Sequence, residues 1–402
     1  MRRRAMAFVF LPWKRSTRQS WPYQEKLKTS LLSYLFPKEK NLELNTYNLE
    51  LYYNARSALY HGLLQLGIEQ DDEIIIQAYT CVSVPNAIIA TGAKPIYCDI
   101  DLQTLNMDPT KIEALITDQT KAIMIQHTLG IPADIDAIRD ICQRHHLLFI
   151  EDCAHALGAS YKGQKCGTFG DMAIFSFGRD KIISSVNGGA LLIKNERLQA
   201  WEHERGKHRT YNLRLKTIAQ NLSYVILAPL CAATYHLGIG KFLYYLCGRL
   251  HIFPTIVTKE EKKCNFHDLS FSLPNALACI AYHELQHIDS YNQIRYDHAQ
   301  AYKAKRPDNV IAPIASDWTQ PIMLRTVMRV ASPHKVMAKL KKQWIILGDR
   351  YQQAIAPKDA DATSAHYIAW SCPIAEEIAT INLPCHPNIS PAQRRRVIEA
   401  FS

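Results

Sequence analysis

The sequence predicts an α/β fold: a large domain with a mostly parallel central sheet between helices, and a smaller C-terminal α/β domain. Three observations carry this. From Asn54 to about residue 195, short and uniformly apolar runs alternate with amphipathic ones, as in parallel strands covered on both faces by crossover helices. Gly, Pro and Asp punctuate the runs where helices start and stop. The 402 residues are enough for two full cores.

The elements follow in order. Residues 1–48 read as a basic, aromatic tail, polar and irregular after residue 16 apart from an apolar patch at residues 31–36. Ser57-Ala58-Leu59 opens an amphipathic helix that Gly67 closes. Residues 73–77 are a β-branched strand, 84–91 a helix and 95–99 a strand. Asp108-Pro109 starts another helix with proline in its first turn. A strand at 121–126, a helix at 135–144 and a strand at 147–150 continue the alternation. Residues 49–290 form the large domain, with an apolar helical insertion at about 210–262, and 291–402 the small one. Within the insertion, 217–240 carry no Asp, Glu, Lys or Arg. That length could span a bilayer, but Gln220, Asn221, Ser223, Pro229 and His236 dilute it. A helical hairpin packed on the protein, at a subunit contact or against one membrane face, is the first expectation. Residues 275–304 read as one long helix.

Composition narrows the function. The formal net charge of +10 favours anionic partners. There is no zinc-finger spacing and no aromatic-and-basic RNA motif, so nucleic acid is not expected. Eleven scattered cysteines suit reduced thiols in a cytoplasmic protein. Met1-Arg2-Arg3-Arg4, the short apolar run to Trp13 and the following Lys14-Arg15 read as an uncleaved segment. It is either a tail or a membrane-surface contact, so peripheral membrane association is expected alongside the cytoplasm.

Chemistry concentrates in Ile150-Glu151-Asp152-Cys153-Ala154-His155 and in Ser176-Phe177-Gly178-Arg179-Asp180-Lys181, followed by Gly188-Gly189. Asp152 falls just past a strand end, where ligands bind in parallel sheets. A carboxylate, a small hydroxyl and a lysine are what a pyridoxal phosphate (PLP) site needs: the lysine makes a Schiff base and the acid pairs with the pyridinium nitrogen. Ser176, and Ser57 at a helix start, are candidate phosphate ligands. The plain alternatives stand beside this. A lone loop lysine is usually solvated, and an Asp or Ser after a strand is usually a helix cap.

Several stretches resemble the DegT-type (DegT/DnrJ/StrS) sugar aminotransferase family of fold-type I PLP enzymes. Residues 54–67 resemble its small-residue phosphate loop and first helix. His127-x-x-Gly130-x-Pro132-Ala133-Asp134-x-Asp136, Glu151-Asp152-Cys153-Ala154-His155-Ala156, Ser176-Phe177-x-x-x-Lys181 and Leu383-Pro384-x-x-Pro387 resemble its later motifs. The resemblance implies that Lys181 carries the cofactor and Asp152 pairs with its ring nitrogen. His155 would lie against the ring. Ser176, Ser57, Ala58 and Arg56 would meet the phosphate, and Tyr79 would stand in for an aromatic ring that Cys81 replaces. It implies a homodimer and transfer of an amino group, from glutamate, to a nucleotide-linked keto sugar. A lysine at 181 favours transamination over the family's dehydratase branch, which has histidine there.

Arg56 stands where the family has threonine, and is expected either to clamp the phosphate or to point away. Leu269-Ser270-Phe271-Ser272 lacks the Asn and Arg of a Tyr-Asn-x-Arg stretch that reaches a neighbouring subunit's site. Two other classes stay open. A non-catalytic family member would bind a partner or membrane. A zinc peptidase would use His283-Glu284-x-x-His287, whose histidines share one face of a continuous helix. The plain reading of the latter is a solvated helix face.

Overall fold

The computed structural model describes residues 22–38, 46–200, 212–265, 269, 271–343, 345–348 and 353–401. Expectations that fall on residues 1–21 and on Ser270 lie outside them. Seven strands form the central sheet: β1 (Tyr47–Tyr52), β2 (Glu73–Gln77), β3 (Lys94–Cys98), β4 (Thr120–Gln126), β5 (Leu148–Asp152), β6 (Met172–Ser176) and β7 (Gly189–Lys194). Their order is β1-β7-β6-β5-β4-β2-β3. Strands β3, β2, β4, β5 and β6 pair in parallel, and β7 runs antiparallel between β6 and β1.

Alternation within the strands sorts side chains into two buried layers. On one face Ile75, Ile123, Ile125, Phe149 and Phe175 share a cluster with helices α1 (Pro22–Leu35), through Leu27, Leu31 and Leu35, and with Ile135, Ile138 and Ile141. On the other, Ile74, Ile76, Met124, Ile150 and Ile174 pack on Leu59 and Leu63 of α2 (Ala55–Gln65) and on Ala87 and Ile88 of α3 (Ser83–Ile89). Ile135, Ile138 and Ile141 belong to α4 (Ile135–Arg144). Both faces are thus covered, which is why the strands read as continuous apolar runs.

Three expectations are corrected. Residues 22–38 are not tail: α1 packs on the large domain, and Tyr23 N–H donates to Asn275 Oδ1 at 3.1 Å. Leu27, Leu31 and Leu35 are four apart on one face, and the polar residues between them mask that stripe. The stretch after Asp108 is two 3₁₀ turns, Pro109–Lys111 and Glu113–Leu115, and not an α-helix. The insertion is a hairpin of α5 (Leu215–Ala233) and α6 (Ile239–Arg249). Among the described residues no helix is long and apolar enough to cross a membrane. The long helix is two, α7 (Asn275–Leu285) and α8 (Ile288–Ala304). At the break, His287 N–H turns back to the Glu284 carbonyl at 3.1 Å, a 3₁₀-type closure that ends α7.

Beyond α8, β8 (Thr326–Arg329) pairs antiparallel with β9 (Thr380–Leu383). Met328, Ile381 and Leu383 share a separate core with Leu340 of α9 (Pro333–Lys342) and with Val397 and Phe401 of α10 (Pro391–Phe401).

Candidate active site

The carboxyl ends of β4, β5 and β6 lie on one edge of the sheet. β5 delivers two carboxylates to opposite faces. Glu151 is fully buried and saturated: it accepts from the N–H groups of Gly167 (2.7 Å), Phe169 (2.7 Å) and Gly170 (2.8 Å). His127 Nδ1 accepts from Ala133 N–H at 3.1 Å, leaving Nε2 to donate to Glu151 at 3.1 Å. Cys153 lies beside this pair, and the three could in principle hold a metal. The hydrogen bonds already use both carboxylate oxygens and both ring nitrogens, so the cluster is a brace for the 167–170 turn.

Asp152 faces the other way. It is 4% exposed and accepts from Ala154 N–H at 2.8 Å. Burial raises its pKa, and the Ala154 N–H, Lys181 and His127 offset only part of that. Lys181 is half-buried on the loop after β6, where its N–H donates to the Gly178 carbonyl at 3.1 Å. Its charge is felt at Asp152.

The loop carrying Lys181 is held on both sides. Arg179 stacks on Tyr224 of α5 at 4.5 Å and donates to the Pro254 carbonyl. Asp180 lies 3.8 Å from Arg325 in the small domain.

A cradle forms at the start of α2. Gly189 pairs with Ser176 on one side and Tyr52 on the other. A Cβ on Gly189 would come within 2.5 Å of Ala55 N, so only glycine lets β7 approach this helix start. Ser176 is half-buried, and its Oγ accepts from Gly178 N–H at 3.4 Å. Ser57 is fully buried and its hydroxyl donates to Asn54 Oδ1 at 2.9 Å; meeting a phosphate requires it to turn away from Asn54. Ala58 N–H donates to the Asn54 carbonyl at 3.3 Å, so the helix ladder takes the donor that the resemblance assigns to a phosphate. Asn54 caps the helix, a role that its Asn identity before a helical run signals.

Arg56 is turned elsewhere. Its guanidinium pairs with the buried carboxylate of Glu261 and donates to the Ile256 carbonyl at 3.1 Å. Burial lowers its pKa to about 10. Glu261 also closes a capping box with Thr258, accepting from its N–H at 2.7 Å. Tyr79 is fully buried, and its hydroxyl lies 3.3 Å from Thr380 Oγ1 of β9. Its ring is committed to the contact between the domains, where Thr80 and Cys81 pair with Ile355 and Ala356. Cys81 lies nearer the cradle, 3.5 Å from Ser83 Oγ, which Arg56 also reaches. His155 is buried and its Nδ1 accepts from Leu129 N–H at 3.4 Å, which fixes the ring.

Phe271–Leu273 lie along β1: Tyr53 N–H donates to the Phe271 carbonyl at 2.9 Å, and Leu273 N–H to the Leu51 carbonyl at 3.3 Å. The single helix expected to carry His283 and His287 on one face is broken between them.

Sequence reasoning missed a polar junction beside the lysine loop. Asn221 of α5 donates to Tyr53 Oη at 3.0 Å, and Asn187 donates to Asn221 Oδ1 at 2.8 Å. An asparagine inside an apolar run was its one signal.

A mostly parallel sheet, a lysine loop beyond its carboxyl edge and a second small domain give the chain a fold that aminotransferases of known structure share. It superposes on S. venezuelae DesV, solved with a ketimine intermediate, with a TM-score of 0.72 at 23% identity over 99% of this chain and 92% of that one. On the PLP-form of the putative sugar aminotransferase Spr1654 from Streptococcus pneumoniae the TM-score is 0.73 at 19% identity, over 99% and 94%. The profile of the DegT/DnrJ/EryC1/StrS aminotransferase family matches residues 52–214 and 255–402, and the chain belongs to that family. A 147-residue stretch is 43% identical to GDP-perosamine synthase of Caulobacter vibrioides, covering 37% of this chain and 40% of that protein. The match thus spans less than half of that curated relative. Both α5 and α6 fall in the gap of the family match.

Proposed function

We propose that this chain is a PLP-dependent aminotransferase that transfers an amino group, from glutamate, to a keto sugar carried on a nucleotide. The observation that carries the reading is the buried carboxylate of Asp152 at the sheet's carboxyl edge, with the charge of Lys181 felt at it. The site fits the cofactor. A buried acid with a raised pKa suits a cationic donor such as a protonated pyridine nitrogen, and the Gly189 cradle opens onto a helix start, where an anion is favoured. Bound PLP supplies an electron sink and a carrier for the amino group.

The chain's own residues do the rest. Lys181 would hold the cofactor through its Nζ and, when released, would carry a proton between the substrate carbon and the cofactor carbon. Asp152 stays ionised once paired with a cation. Ser176 and the first turn of α2 hold the phosphate. His155, its Nδ1 committed to Leu129, presents a fixed ring. Arg179 and Asp180 keep the lysine loop in place from both flanks. Arg56 serves the cradle from behind, by tying α2 to Glu261.

Two partner readings accompany this: a homodimer, supported by the family resemblance, and a membrane surface met by the insertion, supported by its exposed apolar side chains. The domain limits of 49–290 and 291–402 are supported by the separate core around β8 and β9, with α1 now added to the large domain.

An absorbance scan tests the function. Purified protein loaded with PLP shows a visible band that added glutamate bleaches, and Lys181→Ala abolishes the band. Failure to retain PLP after reconstitution would overturn the reading.

A further inference from the structure

The insertion is a built unit with one satisfied side. Cys231, Cys247 and Phe253 form its small core, and a Cβ on Gly240 would fall 1.8 Å from the Cys231 carbonyl oxygen, so glycine alone permits the close crossing of α5 and α6. Asn221 and Tyr224 seat it on the body of the protein. The opposite side is left open. Leu237, Phe242 and Tyr245 are 64%, 63% and 62% exposed, and Tyr235, Ile239 and Leu250 are exposed beside them. Of the eleven residues of α6, only Gly240 and Cys247 are buried. A contiguous apolar patch of this kind marks a contact surface.

Charge selects the occupant. Residues 205–259 contain no Asp or Glu, while Arg214, Lys216, Lys241 and Arg249 are exposed on the hairpin. A second copy docking by two-fold symmetry would set this acid-free surface against itself, cation facing cation. Neither helix is long and apolar enough to span a membrane. Apolar and tyrosine side chains rimmed by cations suit shallow burial at an anionic lipid surface.

We infer that the α5–α6 hairpin docks the protein on membranes bearing anionic headgroups, with Leu237, Phe242 and Tyr245 entering the interface and Lys241 and Arg249 meeting the lipid charge. This deepens the membrane-surface reading and is independent of transamination. The hairpin that carries the docking surface touches the lysine loop through its other side, because Tyr224 stacks on Arg179, two residues before Lys181.

The test is sedimentation of the full chain, loaded with PLP, with vesicles of phosphatidylcholine alone or mixed with phosphatidylglycerol. The wild type pellets with the mixed vesicles, and salt weakens but does not abolish this. Phe242→Glu/Tyr245→Glu stays in the supernatant with its visible absorbance and melting temperature unchanged. Leu237→Glu is a second variant in case the double variant misfolds. Lys241→Gln and Arg249→Gln each lose roughly fivefold in affinity for the mixed vesicles. The proposal is overturned if the wild type ignores the mixed vesicles, or if the glutamate variants bind them as well as wild type does. It is also overturned if those variants change only the sedimentation coefficient, which would make the patch a contact between copies. Loss of PLP binding with vesicle binding retained would strike the enzyme reading alone.

Discussion

At Asp152, burial and chemistry oppose each other. Its raised pKa means that the native apo protein holds this proton more tightly than the unfolded chain. Apo stability therefore falls as pH climbs from the ordinary carboxylate value to the raised one. Asp152→Asn keeps an acceptor for Ala154 N–H and removes the charge. The apo variant is expected to melt above wild type at neutral pH, with the difference vanishing once both are neutral at low pH. The same substitution weakens PLP by at least about tenfold, since a charge-assisted hydrogen bond becomes a neutral one; thermal melts across pH and a cofactor titration read both effects. Arg56 gives a second test. Arg56→Ala leaves Glu261 buried without its cation, at a cost of about 3 kcal/mol, measurable by urea unfolding. Adding Glu261→Gln is expected to recover part of the loss. A phosphate-clamp role would instead lower PLP affinity without destabilising the apo protein.

Among the elements, β5 does the positioning. Its end is fixed because Glu151 collects three backbone N–H groups and the His127 ring. Glu151→Ala strands those donors and is expected to lower stability by about 3 kcal/mol or more, with loss of PLP following from displacement of Asp152; urea melts with a parallel cofactor titration separate the two. The elements also show which signals survive in sequence. Uniform apolar runs announced β2, β4 and β5, because strands buried on both faces have no polar alternation to disguise them. α1 was obscured by the lysines and serines on its solvent side. The break at Gln286–His287 carries no Gly or Pro, so nothing local disclosed it.

Across the whole molecule, the site is assembled from segments far apart in the chain: Asn54–Ser57, Asp152–His155 and Ser176–Gly189. A ligand gripping all three stabilises the entire large domain. PLP at a hundred times its dissociation constant is expected to add about 2.7 kcal/mol, seen as a higher melting temperature and much reduced in Lys181→Ala. The proposed pair, Asp152 and Lys181, and its sheet edge were legible because each rests on local pattern: a strand, its terminal acid and a lysine after the next strand. The fates of Arg56 and Tyr79 were not. Arg56 is decided by Glu261, 205 positions away, and Tyr79 by Thr380 in the small domain; no local pattern encodes a partner at that distance.

The Arg56–Glu261 pair has a historical consequence. Its acid sits in the segment that follows the α5–α6 hairpin, and its base on the helix that opens the cradle. Neither residue can drift alone, since each is buried against the other. Relatives of this chain should therefore keep or exchange positions 56 and 261 together.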